Sequence, residues 1–245
     1  MTTSLPSATN RLSDVKRIGT GLAFIFCPLI FVFAFAVHPG LLNPHRLSDT
    51  ALILRAHGNA WLAVGHVLVL FAAALLGVVL QHFMQRLDQG WPAWAGYSGA
   101  ALGVLGAVLL AAEKGAECLT ISALDTLPES QFAQMMPGLV AIFSHQGWMA
   151  LVGGVVLLAV GTTLQAVGLF AANAISRWQS VALLIGVWLL GWPDGEEIYS
   201  LAGAILLSLA LVPVGVQLML RRADQAGSLA APGQQPGAGH PALAH

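Results

Sequence analysis

Six apolar runs recur along the chain, at residues 19–37, 60–80, 94–112, 148–170, 178–192 and 198–220, with the charged residues collected between them. The run 60–80 has 21 residues and no Asp, Glu, Lys or Arg, the length a helix needs to cross about 30 Å of hydrocarbon. Five of the six reach that scale. The run 178–192 is shorter, at about 22 Å if helical, and Pro193, Asp194, Gly195, Glu196 and Glu197 interrupt it. A short, Pro/Gly-interrupted hydrophobic segment is a pointer to a binding site in transporters, so residues 193–197 are expected to dip below the membrane surface. Glycines 96, 99, 103 and 106 in the third run recur at three- and four-residue spacing, which gives a face that lets another helix approach closely.

This pattern predicts an all-α polytopic membrane protein, a bundle of about six transmembrane helices. Residues 1–17 form a polar N-terminal segment, 18–222 the membrane domain, and 223–245 a Gly/Pro/Gln/Ala-rich tail expected to be disordered. Arg11, Lys16 and Arg17 before the first run, with Ala34-Phe35-Ala36 near its end, resemble a secretory signal. The run is long and five more follow, so it reads as an uncleaved first span. Residues 41–56 read as a loop, 125–137 as a loop or interfacial segment, and 138–143 as an amphipathic lead-in to the fourth span.

Composition agrees. The chain is 57% hydrophobic and 9% charged, with a mean hydropathy of +0.77, whereas soluble domains carry about 25% charged residues. Lipid is therefore the solvent for most of it. The net charge of −1 offers no basic field for nucleic acid. Cys27 and Cys118 fall in different spans and form no CxxC motif.

Charge sets the orientation. Arg11, Lys16, Arg17, Arg86, Arg177, Arg221 and Arg222 fall on one side of a six-span topology, and only Arg46, Arg55 and Lys114 on the other. The positive-inside rule then places both termini in the cytoplasm of a bacterial-type inner membrane. Eight of the eleven acids, together with His38, His45, His57 and His145, gather at the outer end.

Two spans open alike. His57, Trp61 and Gly65 recur as His145, Trp148 and Gly153, the histidines and glycines at an offset of 88. Residues 109–117 also align with 189–197 at an offset of 80, matching Leu, Leu, Gly and Glu. Together they raise the possibility of a duplicated helix pair, though the two offsets require a gap between them. In that arrangement His57 and His145 face each other with Glu117 and Glu197 beside them. Facing imidazoles on neighbouring helices suit the axial positions of a haem or half of a metal site, with the carboxylates as further ligands. The alternative is a small transporter or channel in which His66, Glu113 and Glu117 carry a cation or proton. Glu113 and Glu117 share a helix face with Lys114 next to them, and an ionisable residue inside a membrane is a functional candidate by default. Nine residues separate His66 from His57, which turns it to the opposite face and sets it about 13 Å deeper, so the two cannot ligate one ion. A third class is a non-catalytic subunit whose glycine-rich third helix meets a membrane-protein partner or a second copy. HExxH, GxSxG, Walker and GxGxxG motifs are absent from the sequence.

Overall fold

Eight helices account for nearly all of the chain that the computed structural model describes, residues 8–42, 47–191 and 196–220. They are α1 (Ala8–Ala36), α2 (Asp49–Ala56), α3 (Ala60–Arg86), α4 (Gly90–Leu124), α5 (Glu129–Ser144), α6 (Gln146–Ala172), α7 (Arg177–Leu190) and α8 (Glu197–Leu220). Five of them, α1, α3, α4, α6 and α8, are long and apolar enough to cross a membrane, and α7 is a shorter apolar helix of 14 residues. The all-α membrane architecture is as the apolar runs require.

Local chemistry marks the boundaries. The Ser48 hydroxyl accepts from the Ala51 N–H at 3.3 Å and starts α2, and the Asn59 side chain accepts from the Leu62 N–H at 3.1 Å and starts α3. Asn173, at φ 49°, ends α6 in the left-handed conformation that a short polar side chain tolerates. Ser176 and Gln179 then form a capping box that opens α7. Two boundaries differ from the hydropathy reading. The polar N-terminal segment is helical from Ala8 onward, because nothing between Ala8 and the first span breaks a helix. The loop at 41–56 contains α2, and the loop or interfacial segment at 125–137 and the amphipathic lead-in at 138–143 are one helix, α5. The short apolar faces of α2 and α5 (Ile53, Phe132 and Leu139) bury against each other. His45, Arg46, residues 192–195, Arg221, Arg222 and the 223–245 tail lie outside the described residues.

The long helices form a closed ring in chain order: α1 lies beside α3, then α4, α6, α7 and α8, which returns to α1. Glycines set the closest approaches. A side chain on Gly161 of α6 would strike the Gly103 backbone of α4, one on Gly215 of α8 would meet the Gly21 carbonyl of α1 at 2.6 Å, and one on Gly203 of α8 would strike the Leu190 backbone of α7. The glycines of the third span meet two neighbours: Gly99 and Gly106 face α6, whereas Gly96 and Gly103 face Leu87 and Leu80 at the end of α3. Inside the ring, Phe24, Phe83, Leu169 and Leu183 make an apolar layer toward the chain termini. Cys27, Phe31, Leu80, Leu158 and Ala204 make a second layer toward the other end. Large apolar side chains such as Phe26, Phe71, Leu105 and Leu209 point outward, as they must when the surroundings are lipid. Trp61, Trp91, Trp94 and Trp178 are exposed within the first turns of their helices, where indoles sit at a membrane surface.

The proposed duplication is only partly reflected in the fold. His57 and His145 each end a short helix and precede a helix of 27 residues. The stretches aligned at an offset of 80 differ: 109–117 runs unbroken through α4, whereas 189–197 covers the end of α7 and the start of α8.

Candidate functional site

The end of the bundle away from the termini holds a cluster of ionisable groups drawn from four elements. Lys114 and its neighbours stand on α4 because the helix continues, through residues too polar for hydrocarbon, to Leu124. Its 35 residues cover about 52 Å, well beyond a bilayer core. Glu113 and Glu117, one turn apart, flank the Lys114 ammonium, with Nζ–Oε distances of 3.1 Å to Glu113 and 3.0 Å to Glu117. From α3, about 9 Å below its first residue, His66 brings Nε2 to 3.8 Å from the same Glu117 carboxylate. The chain leaving α1 supplies His38, whose Nδ1 lies 3.5 Å from Glu197 Oε1 at the start of α8 and accepts the Gly40 N–H at 3.3 Å.

These pairs form one cluster. Glu113 and Glu197 are each only 3% exposed and His66 is 7% exposed. His38, outside the spanning segments, senses the others. Its pKa falls from 6.5 to about 4, first because burial disfavours the imidazolium, then because the Lys114 charge and His66 oppose a second cation, with the Glu117 carboxylate acting the other way. His38 is therefore neutral at pH 7. Burial of so many charges is costly unless each is paired, and here each carboxylate and the ammonium have partners within the cluster. Toward the bundle centre the charged groups stop, and Cys27, Phe31, Leu80, Leu158 and Leu207 take over, with Thr162 among them.

A second pair lies nearer the surface. His57 Nδ1 is 3.0 Å from Asp125 Oδ1, which also accepts the Gly58 N–H at 2.8 Å. The His57 ring stacks on Phe132 with centroids 3.9 Å apart. His145 is placed differently, at the start of α6, where Nδ1 accepts the Gly147 N–H at 3.1 Å.

The sequence-predicted residues therefore divide. Glu113, Glu117 and His66 come together, joined by Lys114. Glu197 belongs to the same end but pairs with His38. His57 and His145 engage other groups, and among the described residues no set of three His, Cys, Asp or Glu side chains is placed to hold a metal ion. His38 and Asp125 are the members that sequence reading passed over. His38 reads as a helix stop before Pro39 and Asp125 as a loop acid, and only the adjacency of α1 to α8 and of α3 to α4 reveals their partners. Lys114 carried a usable signal, since it is the lone cation among the carboxylates of the third span.

Deeper in the bundle, buried Gln165 of α6 donates to the Leu80 carbonyl of α3 at 2.8 Å and the Gly96 carbonyl of α4 at 3.2 Å. Gln179 of α7 donates to the Ala210 carbonyl of α8 at 3.0 Å. Both act as interhelical ties, distinct from the ionisable cluster. No known protein family, curated protein or solved structure matches the chain.

Proposed function

We propose that the chain is a multi-pass membrane protein of the small transporter or channel class, and that the Glu113–Lys114–Glu117–His66 cluster, with His38 and Glu197, is its proton- or cation-handling site. The observation that carries this reading is the Lys114 ammonium held between two carboxylates, with an imidazole against one of them, at the buried end of a lipid-facing bundle. Such a set can take up or release a proton at several atoms at small cost, because any gain or loss of charge is shared among neighbours. The apolar layers below it favour a carrier that must change conformation over an open pore. The seven-to-three division of cations supports an outward-facing cluster and cytoplasmic termini in a bacterial-type inner membrane.

Ligation of a metal ion or haem by His57, His145, Glu117 and Glu197 is the less supported reading. Lys114 already occupies the position beside Glu117 that a cation would need. A visible spectrum and elemental analysis of purified protein test it directly.

The proton reading is tested in phosphatidylcholine vesicles that contain the purified protein and a pH-sensitive dye. Under an imposed potassium diffusion potential, the wild type should acidify the lumen faster than empty vesicles, and Glu117→Gln should return the rate to that of empty vesicles. Equal rates for wild type and empty vesicles would overturn it.

A further inference from the structure

A narrow cleft between α3 and α4 leads from the surface to the cluster. Its walls follow helical spacing. On α4, Asp125, Ser122, Cys118 and Lys114 succeed one another at intervals of three or four residues and so share a face. On α3, Asn59, Ala63 and His66 do the same. The cleft is lined by Asn59, His66, Cys118, Ser122 and Asp125 beside the apolar Ala56, Leu62, Ala63 and Ile121, with Asp125 and its His57 partner at the mouth and His66 at the floor. One turn further in, Leu70 of α3 lies against Gly115 of α4, and the stripe becomes apolar. Asn59, His66, Cys118, Ser122 and Asp125 bring hydrogen-bonding atoms to it, and a bound water needs two to four such partners.

We infer that this cleft is the aqueous access route to the cluster: water enters at Asp125 and Asn59, and His66 passes protons between that water and Glu117. The route rests on the proton-handling reading and adds to it a direction and a gatekeeper. The groups facing His66 are Glu117 and Lys114 from α4, Cys118 beside them, and His38 from the chain after α1. In the transfer, a proton carried in along the cleft as hydronium adds to His66 Nδ1 while the Nε2 proton passes to the Glu117 carboxylate, through a water or after the 3.8 Å gap shortens. The hydronium is left as water, the ring stays neutral and the carboxylate becomes the neutral acid. The His57–Asp125 contact stands where the route opens and sets its width.

Cys118 provides a native probe, and Cys27, fully buried in the apolar interior, provides a control. In a Cys27→Ala background, 2-aminoethyl methanethiosulfonate added to protein in vesicles should label Cys118. The facing wall is Ala63, whose carbonyl lies 3.8 Å from the Cys118 sulfur. Ala63→Phe should slow the labelling about tenfold, whereas Leu119→Phe on the lipid-exposed neighbouring face should not. Labelled protein should also take up protons about tenfold more slowly than unlabelled protein. Failure of Cys118 to label until the protein is denatured overturns the route, as does labelling that leaves the uptake rate unchanged. Absence of uptake in unlabelled protein overturns the proton-handling reading instead, and the labelling pattern still decides whether water reaches His66.

Discussion

Lys114 is the side chain that joins the cluster, since removing its charge leaves the buried Glu113 and the half-buried Glu117 carboxylates one turn apart with their shared ammonium gone. Lys114→Met is therefore expected to destabilise the protein by about 3–5 kcal/mol, read as a lowered thermal midpoint in detergent, and adding Glu117→Gln should recover part of the loss. His38 gives a pH signature. Its folded-state pKa of about 4 lies below the ordinary 6.5, so the unfolded chain takes up a proton first as the solution is acidified. The His38 contribution is intact above about pH 6.5 and is lost as pH falls toward 4, up to about 3 kcal/mol in total. Thermal midpoints measured across that window should fall with acidification, and His38→Gln should flatten the slope. At this scale the sequence was legible where partners share one helix, as for Glu113, Lys114 and Glu117. It was silent where a partner comes from a distant segment, as for His38 with Glu197, because nothing local records which helices are neighbours.

Among the elements, α4 and α6 meet along glycines on both sides. Gly161→Ala would press a methyl group into the Gly103 backbone, and neither helix can yield without moving as a whole. A loss of about 1–3 kcal/mol is expected, while Gly153→Ala, where a methyl would meet nothing within 4 Å, should be neutral. Comparing thermal midpoints of the two variants separates close approach from a general effect of glycine on helix stability. The glycine spacing revealed that α4 has a close partner but not which helix supplies it. The helices α2 and α5 were hidden for another reason. Each is short and only half apolar, and the period that marks them is carried by few residues: Ile53 in one, Phe132 and Leu139 in the other.

For the whole molecule, hydropathy was sufficient to give the all-α membrane class, because the solvent of a spanning helix dictates its composition. Orientation rests on the loop cations alone, and reporter fusions test it. Fusions after residues 48, 125 and 195 should report the outer side and those after 88, 175 and 230 the cytoplasm. The reverse pattern would turn the cluster and its cleft toward the cytoplasm. What hydropathy could not supply was the order of helices around the ring, and that order brings the histidine of the first loop to the glutamate of the last helix.

The ring has a consequence for biogenesis. Because each spanning helix lies beside its predecessor, every new segment leaving the ribosome can dock on the one already inserted, without waiting for a distant stretch of chain. Only α1 must wait: its outer flank stays bare until the last helix arrives. Arg17 then donates to the Leu218 carbonyl at 3.1 Å and the Met219 carbonyl at 2.5 Å, fastening the final turn of the last helix to the start of the first. Translation thus has to run through α8 before the bundle can shut, and since Glu197 travels on α8, the cluster is completed in the same event.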